Sequence, residues 1–194
     1  MNSSDFASSQ QMPPLTEAER RAIIRVAGEL IGRAGRTTLV MALRGSRAKR
    51  VLQHGAEGAP GYGHFAGMPE ADVLARVDAL IGEGLLAIEY RDDFPLIAYT
   101  RRGLALAMEY AAEEWLEVVR SRVQLVAAGA PLELPFLLSV MPNRNHETVF
   151  RVIDRVAREA DPGWLPFLKT WSQAETRRAR ERLGPIIARL EVKS

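Results

Sequence analysis

The residues in this chain whose types and spacing suit chemistry are cations. Between Glu29 and Glu57 there is no acidic residue, while Arg33, Arg36, Arg44, Arg47, Lys49 and Arg50 all fall inside. A one-sided run of this kind suits phosphate, because guanidinium and ammonium groups make charge-assisted hydrogen bonds to it and release its counterions. Gly45 and Ser46 stand just before a short basic helix expected over Arg47 to His54. A helix start there offers backbone N–H groups and a hydroxyl to a phosphate oxygen. The competing reading is a solvated basic face. A second cluster, Arg177, Arg178, Arg180 and Arg182, either extends a basic track or is a solvated helix face.

Other chemistry finds less support. The chain has no cysteine, so it has no disulfide, no thiolate zinc site and no cysteine nucleophile, which fits a reducing cytosol. Gly61-x-Gly63-x-x-Ala66 matches a loose dinucleotide fingerprint, but it follows a Gly/Pro loop where that fingerprint needs a strand. His54, His64 and Glu57 lack a fourth ligand and a fixed spacing, so no metal is expected. Either histidine can instead touch a phosphate. His146 beside Glu147 is explained by a helix start. No nucleophile, base and orienting group form a legible set. No clustered carboxylates in the C-terminal part suit a nuclease metal. The expectation is a protein without catalysis and without a cofactor.

The elements that must position the cations are mainly helical. The 194 residues are 47% hydrophobic, enough for a sizeable core, and the net charge of +2 leaves the distribution of charge to decide on partners. No apolar run is long enough to cross a bilayer. Met1 to Pro14 is Ser/Gln/Pro-rich and reads as a disordered tail. Thr16 and Glu19 have capping-box spacing, and Ile23, Ile24, Ala27, Leu30 and Ile31 then give an amphipathic helix ending near Gly35. Leu39, Val40, Met41 and Leu43 give a second, stopping at Gly45. Gly55 to Gly67 is a loop with five glycines. Pro69 opens a third helix with Val73, Leu74, Val77, Leu80 and Ile81 on its buried stripe and Gly82 and Gly84 at its end.

The period then changes. Leu86, Ile88 and Tyr90 alternate with Ala87, Glu89 and Arg91, and a second strand covers Leu96 to Tyr99 across the Asp92-Asp93 turn. Thr100 caps a long helix from about Arg101 to Val126. Three helices and a hairpin in this order make a winged helix, with the hairpin as the wing. Beyond Gly129 and Pro131 come the apolar stretch Leu132 to Val140, a helix capped by Asn145, another begun by Asp161-Pro162, and a last one with Ser172 and Glu175 at capping-box spacing. Gly184-Pro185 should break or kink that last helix. Trp164, Leu165, Phe167, Leu168 and Trp171 read as core or partner interface.

Several short stretches in this order resemble the RQC domain of RecQ helicases. They are Gly35-Arg36-Thr37-Thr38-Leu39-Val40, Leu43-Arg44-Gly45-Ser46 with Lys49, Tyr62-Gly63-His64-Phe65, Leu80-Ile81-Gly82-Glu83-Gly84-Leu85-Leu86 and Leu96-Ile97-Ala98-Tyr99-Thr100-Arg101-Arg102-Gly103. The resemblance covers roughly residues 17 to 110. It implies a stand-alone RQC-type protein of a minor bacterial branch, because no phosphate loop or helicase core is present. The division it suggests is a tail over 1–14, an RQC-like winged helix over 15–128 and a helical extension over 129–194.

The resemblance further implies that the Arg44-Gly45-Ser46 corner binds phosphate. With the basic run it gives a candidate DNA surface of Arg36, Arg44, Gly45, Ser46, Arg47, Lys49 and Arg50, together with Tyr62 and His64. The third helix offers Asp72, Asp78 and Glu83 with Arg76 as its main base, so insertion into a major groove would be repelled. An aromatic at the wing tip separates base pairs in several RecQ proteins, and Phe94 is placed to stack on a terminal base. The negative Asp92 and Asp93 oppose this and favour packing of Phe94 and Pro95 at the base of the strand. The expected partner is duplex or branched DNA in the cytoplasm, at the nucleoid. The rival is an adaptor that binds a protein, or a second copy through its C-terminal helices, without DNA.

Overall fold

A computed structural model describes residues 13–130 and 146–193. Residues 1–12 of the expected tail, the apolar stretch Leu132 to Val140 and the Asn145 cap lie outside the described residues.

The chain packs as two compact units, divided between Ala107 and Met108. In the first, α1 (Glu17–Leu30) is opened by Thr16, whose hydroxyl accepts from Glu19 N while the Glu19 carboxylate accepts from Thr16 N, the reciprocal capping box. The helix ends about one turn before Gly35, because Gly32 turns the chain at φ +65°. Gly35 instead becomes the N-cap of α2 (Arg36–Leu43). The basic segment forms α3 over Lys49–Leu52 only, shorter than Arg47 to His54. The glycine-rich loop contains a single 3-10 turn, Ala56–Gly58. Pro69 is the N-cap of α4 (Glu70–Gly82).

The core of this unit takes most of the apolar stripes expected from the 3.6-residue period, while Leu74 and Ile81 of the third helix are only partly buried. Ile23, Ile24 and Leu30 of α1, Leu39 and Leu43 of α2, and Val77 and Leu80 of α4 are fully buried. Each such aliphatic side chain stabilises the fold by about 1.5–3 kcal/mol through the area it removes from water.

The wing is β1 (Leu86–Arg91) antiparallel to β2 (Phe94–Tyr99), with Leu86 opposite Tyr99 and Arg91 opposite Phe94. Asp92 and Asp93 form a two-residue turn with φ of 48° and 66°, the left-handed pair that matches the twist of a hairpin and that aspartate tolerates. The base of the wing is locked to the helices. Gly32 N donates to Ile97 O at 2.9 Å and Ile97 N to Ala34 O at 2.9 Å. The Tyr99 hydroxyl donates to Ile24 O. Burial, above all, pushes that phenol well above its ordinary value; nearby Glu29 adds to the rise and Arg25 opposes it.

The closing Thr-x-x-Gly of the sequence pattern now has a physical reason. Thr100 Oγ1 donates to Gly84 O at 2.7 Å and accepts from Gly103 N at 3.0 Å. A Cβ on Gly103 would lie 1.8 Å from the Leu85 carbonyl oxygen, so only glycine lets α5 (Arg101–Ala127) start so close to the wing.

The second unit has its own all-helical core. Residues of α5 beyond the division, among them Trp115, Leu116 and Val119, pack with α6 (His146–Glu159), α7 (Leu165–Ala174) and α8 (Arg177–Glu191). Packing thus divides the chain within α5, whereas the sequence suggested a change near residue 129. Trp115 meets Trp171 edge to face at 5.2 Å, and Trp164, Phe167, Leu168 and Trp171 are buried as expected of core.

Two expectations here are corrected. Ser172 lies inside α7 and caps nothing; Thr176 is the cap of α8, accepting from Ala179 N, while Glu175 is buried and accepts from Trp171 Nε1 at 2.9 Å. Gly184-Pro185 does not break α8, which continues to Glu191. Both residues are exposed, so the ring lies on the solvent face and the carbonyl it deprives of a partner can be hydrated.

Candidate nucleic-acid interface

The basic corner is built where α2 ends against the glycine-rich loop. The last carbonyls of a helix have no partner within it. Here Gly45 N takes Ala42 O at 2.9 Å and Ser46 N takes Met41 O at 2.9 Å. From the loop, Gly63 N reaches Ala42 O at 3.1 Å and Phe65 N reaches Leu43 O at 2.9 Å. Gly45 has φ +77°, and a Cβ on it would stand 3.3 Å from Gly63 Cα, so the two segments cross backbone to backbone. The Tyr62 hydroxyl donates to Ser46 O at 3.1 Å, and Ser46 Oγ accepts from Ala48 N at 3.3 Å. Buried Val51 then pins α3 to the core. Tyr62, Gly45 and Ser46 therefore shape the corner.

Its cations divide into two sets. Arg36 pairs with Asp78 at 2.6 Å. Arg44 donates through Nε to Met68 O at 3.1 Å and pairs with Glu70 at 3.2 Å. Arg20 pairs with Glu83, and Arg76 with Glu19 at 2.9 Å. These arginines neutralise acids of α1 and α4 and tie the helices together. By contrast, Arg47, Lys49 and Arg50 are exposed and make no ion pair among the described residues. They are the available charge of the corner; Arg33, earlier in the run, is also exposed and donates only to the Glu29 carbonyl at 3.3 Å.

Partial burial would raise the Glu19 carboxyl, but the Thr16 backbone N–H, the Arg76 guanidinium and the Thr16 hydroxyl outweigh it and hold the group below its ordinary value. His64 is exposed on the loop and stands edge-on to Phe65 at 4.8 Å. Among the described residues no three His, Asp or Glu side chains are placed to hold a metal ion, and no helix is long and apolar enough to cross a membrane.

The wing overturns one expectation. Phe94 does not pack at the base of its strand. It is 71% exposed beside the turn, and Pro95 is exposed too. The hairpin projects beyond its last buried pair region near Ile97, so its outer residues have nothing to pack on. Tyr90, which shares a strand face with Leu86 and Ile88, is 75% exposed for the same reason. Its nearness to the turn was the signal that could have flagged it. Strand alternation puts Tyr90 and Phe94 on opposite faces of the hairpin, on either side of the two aspartates.

Packed helices followed by a two-stranded wing, with a free basic corner, define a winged-helix protein of the nucleic-acid-binding kind. The chain belongs to the RQC family: the model of the RQC domain matches residues 16–128. No curated protein and no solved structure matches the chain. The family match crosses the packing division and takes in the whole of α5.

Proposed function

We propose that this chain is a non-catalytic DNA-binding protein that holds the phosphate backbone of duplex or branched DNA by shape, with little dependence on sequence. The observation that carries the reading is the unpaired, exposed set Arg47, Lys49 and Arg50 beside a hydrogen-bonded corner of an RQC winged helix. Glu70 and Asp78 of α4 and its cap Glu83 are engaged by arginines, and Asp72 adds exposed negative charge, so that helix offers little to base edges or phosphates. Backbone contacts therefore dominate. Phe94, exposed at the wing tip, stacks on the terminal base of a fork. His64 lies on the same loop as Tyr62 and adds a further donor to phosphate. A protein with this selectivity belongs to DNA repair or replication at the nucleoid.

The test is a fluorescence-anisotropy titration with duplex, forked and single-stranded DNA at two salt concentrations. Affinity falls steeply with salt in the wild type, and Arg47→Gln/Lys49→Gln/Arg50→Gln removes most of it. Binding that ignores salt, or that survives the triple substitution, overturns the reading.

One observation favours a second reading, an adaptor without DNA affinity. Asp92 and Asp93 place two negative charges between Tyr90 and Phe94, a tip suited to an apolar pocket with a basic rim on a protein partner. The absence of binding to all three DNAs would select it.

A further inference from the structure

Of the 26 lysines and arginines in the sequence, three are lysines: Lys49, Lys169 and Lys193. The distinction matters chemically. An ammonium that gives up its proton becomes a nucleophile, whereas a guanidinium stays charged. These three side chains are therefore the lysine amines open to an electrophile.

They stand in different surroundings. Lys169 pairs with Glu191 at 2.7 Å. Lys193 is exposed just beyond α8, and the one charged residue within three positions of it is the acid Glu191. Lys49 is exposed and makes no ion pair among the described residues. Arg47 and Arg50 lie within three positions of it, both exposed, and no carboxylate does. The flanking acids along the chain are as distant as Glu29 and Glu57. Buried Val51 fixes α3, so the three cations are presented together. The Cα atoms of Arg47 and Arg50 are within about 7 Å of that of Lys49, inside a Debye length of roughly 8 Å. Such a site raises the local concentration of anionic reagents around its amine. An acyl phosphate is the acyl donor suited to it, because its charge sits on the leaving group and planar guanidinium forks match phosphate oxygens.

We propose that Lys49 is a modification site acylated by small acyl phosphates, and that its acylation weakens the hold of the corner on DNA. The regulatory half rests on the proposed DNA binding of that corner; the acylation itself does not. In the step, the deprotonated Nζ attacks the acyl carbon. A C–N bond forms and the C–O bond to the phosphoryl group breaks. Inorganic phosphate leaves with the electron pair, and the amine proton passes to water. Arg47 and Arg50 are positioning residues that gather the donor and neutralise the departing phosphate. The amide formed carries no charge, so the corner keeps two of its three free cations.

The test treats the full chain with acetyl phosphate and, in parallel, with the uncharged N-hydroxysuccinimide ester of acetic acid. Acetylation at each lysine is read by peptide mass spectrometry. The rate ratio of Lys49 to Lys193 is expected to be about threefold higher with acetyl phosphate than with the neutral ester at low salt. Arg47→Gln/Arg50→Gln is expected to abolish that difference. Equal ratios with the two reagents overturn the inference, and so does a difference that survives Arg47→Gln/Arg50→Gln. For the regulatory half, duplex DNA is expected to protect Lys49 and not Lys193 from the neutral ester. Lys49→Gln, which imitates the acylated side chain, is expected to lower the slope of log affinity against log salt by about 0.9, while Lys49→Arg keeps it. Selective acylation without protection, and with an unchanged slope in Lys49→Gln, upholds the modification and overturns its control of DNA binding. Selective acylation in a chain that binds no DNA overturns the corner reading and upholds the modification alone.

Discussion

Two stretches of one basic run behave in opposite ways. From Arg36 to Arg44 the arginines are consumed by Asp78, Glu70 and the Met68 carbonyl. From Arg47 to Arg50 the cations touch no acid among the described residues. The sequence is equally basic in both. The difference is what lies opposite: α2 packs along acidic α4, whereas α3 is pinned by Val51 alone and turns its charged residues to solvent. Charge that is paired within the fold acts as mortar between helices. Charge that is unpaired builds the field a polyanion feels. The same division recurs in α8, between Arg182 and its neighbours Arg178 and Arg180.

The comparison breaks if the two stretches respond alike to substitution. The largest effect is expected for Arg47→Gln/Lys49→Gln/Arg50→Gln: a fall in the salt slope of about 2.7, with an unchanged melting temperature, read by anisotropy and by thermal unfolding. Next comes Phe94→Ala, with about tenfold weaker binding to forked DNA and no change on plain duplex, from the loss of one base stack of roughly 1–3 kcal/mol. Equal binding to the fork would leave the exposed wing tip without a role in DNA.

Arg44→Ala should reverse the pattern. It costs about 1 kcal/mol of stability through the lost Met68 and Glu70 contacts, a drop of roughly 4–8 °C for a domain of this size, while DNA affinity changes little. A large affinity loss without a stability loss would move Arg44 into the DNA-contacting set.

The smallest effect concerns pH. Because the folded-state Glu19 carboxyl is held below its ordinary 4.5, its contribution is fully present above that value and is lost as pH falls through the folded value. The melting-temperature gap between wild type and Glu19→Gln should therefore be widest near neutrality and close in acid. A gap independent of pH would show that the ion pair with Arg76 adds nothing beyond the cap.

Much of the winged helix was legible because its signals are local. The Thr16/Glu19 box, the stripe of Val73, Val77 and Leu80, the Asp92-Asp93 turn and the Thr100 cap each depend on residues a few positions apart. The misreadings came from local signals with rivals. Ser172 and Glu175 have capping spacing, but Thr176 stands one step beyond, and burial draws the Glu175 carboxylate to the Trp171 indole. Gly184-Pro185 looks like a break, yet a proline on an exposed helix face forfeits one hydrogen bond to water rather than to the core. For the candidate site, the sequence shows one basic run but could not divide its cations, since Arg36 meets Asp78 and Arg44 meets Glu70 only after α2 and α4 pack.

The sequence by itself determined the order of helices and hairpin, the glycines that let Gly45 cross Gly63 and α5 start against Leu85, and the basic run with the RQC pattern around it. These follow from periodicity and from the conformations each residue type permits, which are properties of neighbouring positions. Only the tertiary structure decided which arginines are spent on acids, that Phe94 and Tyr90 stand in solvent, and that the chain packs in two units divided within one helix. Each of these depends on groups brought together from distant parts of the chain, and pairing or burial across such distances leaves no trace in local spacing.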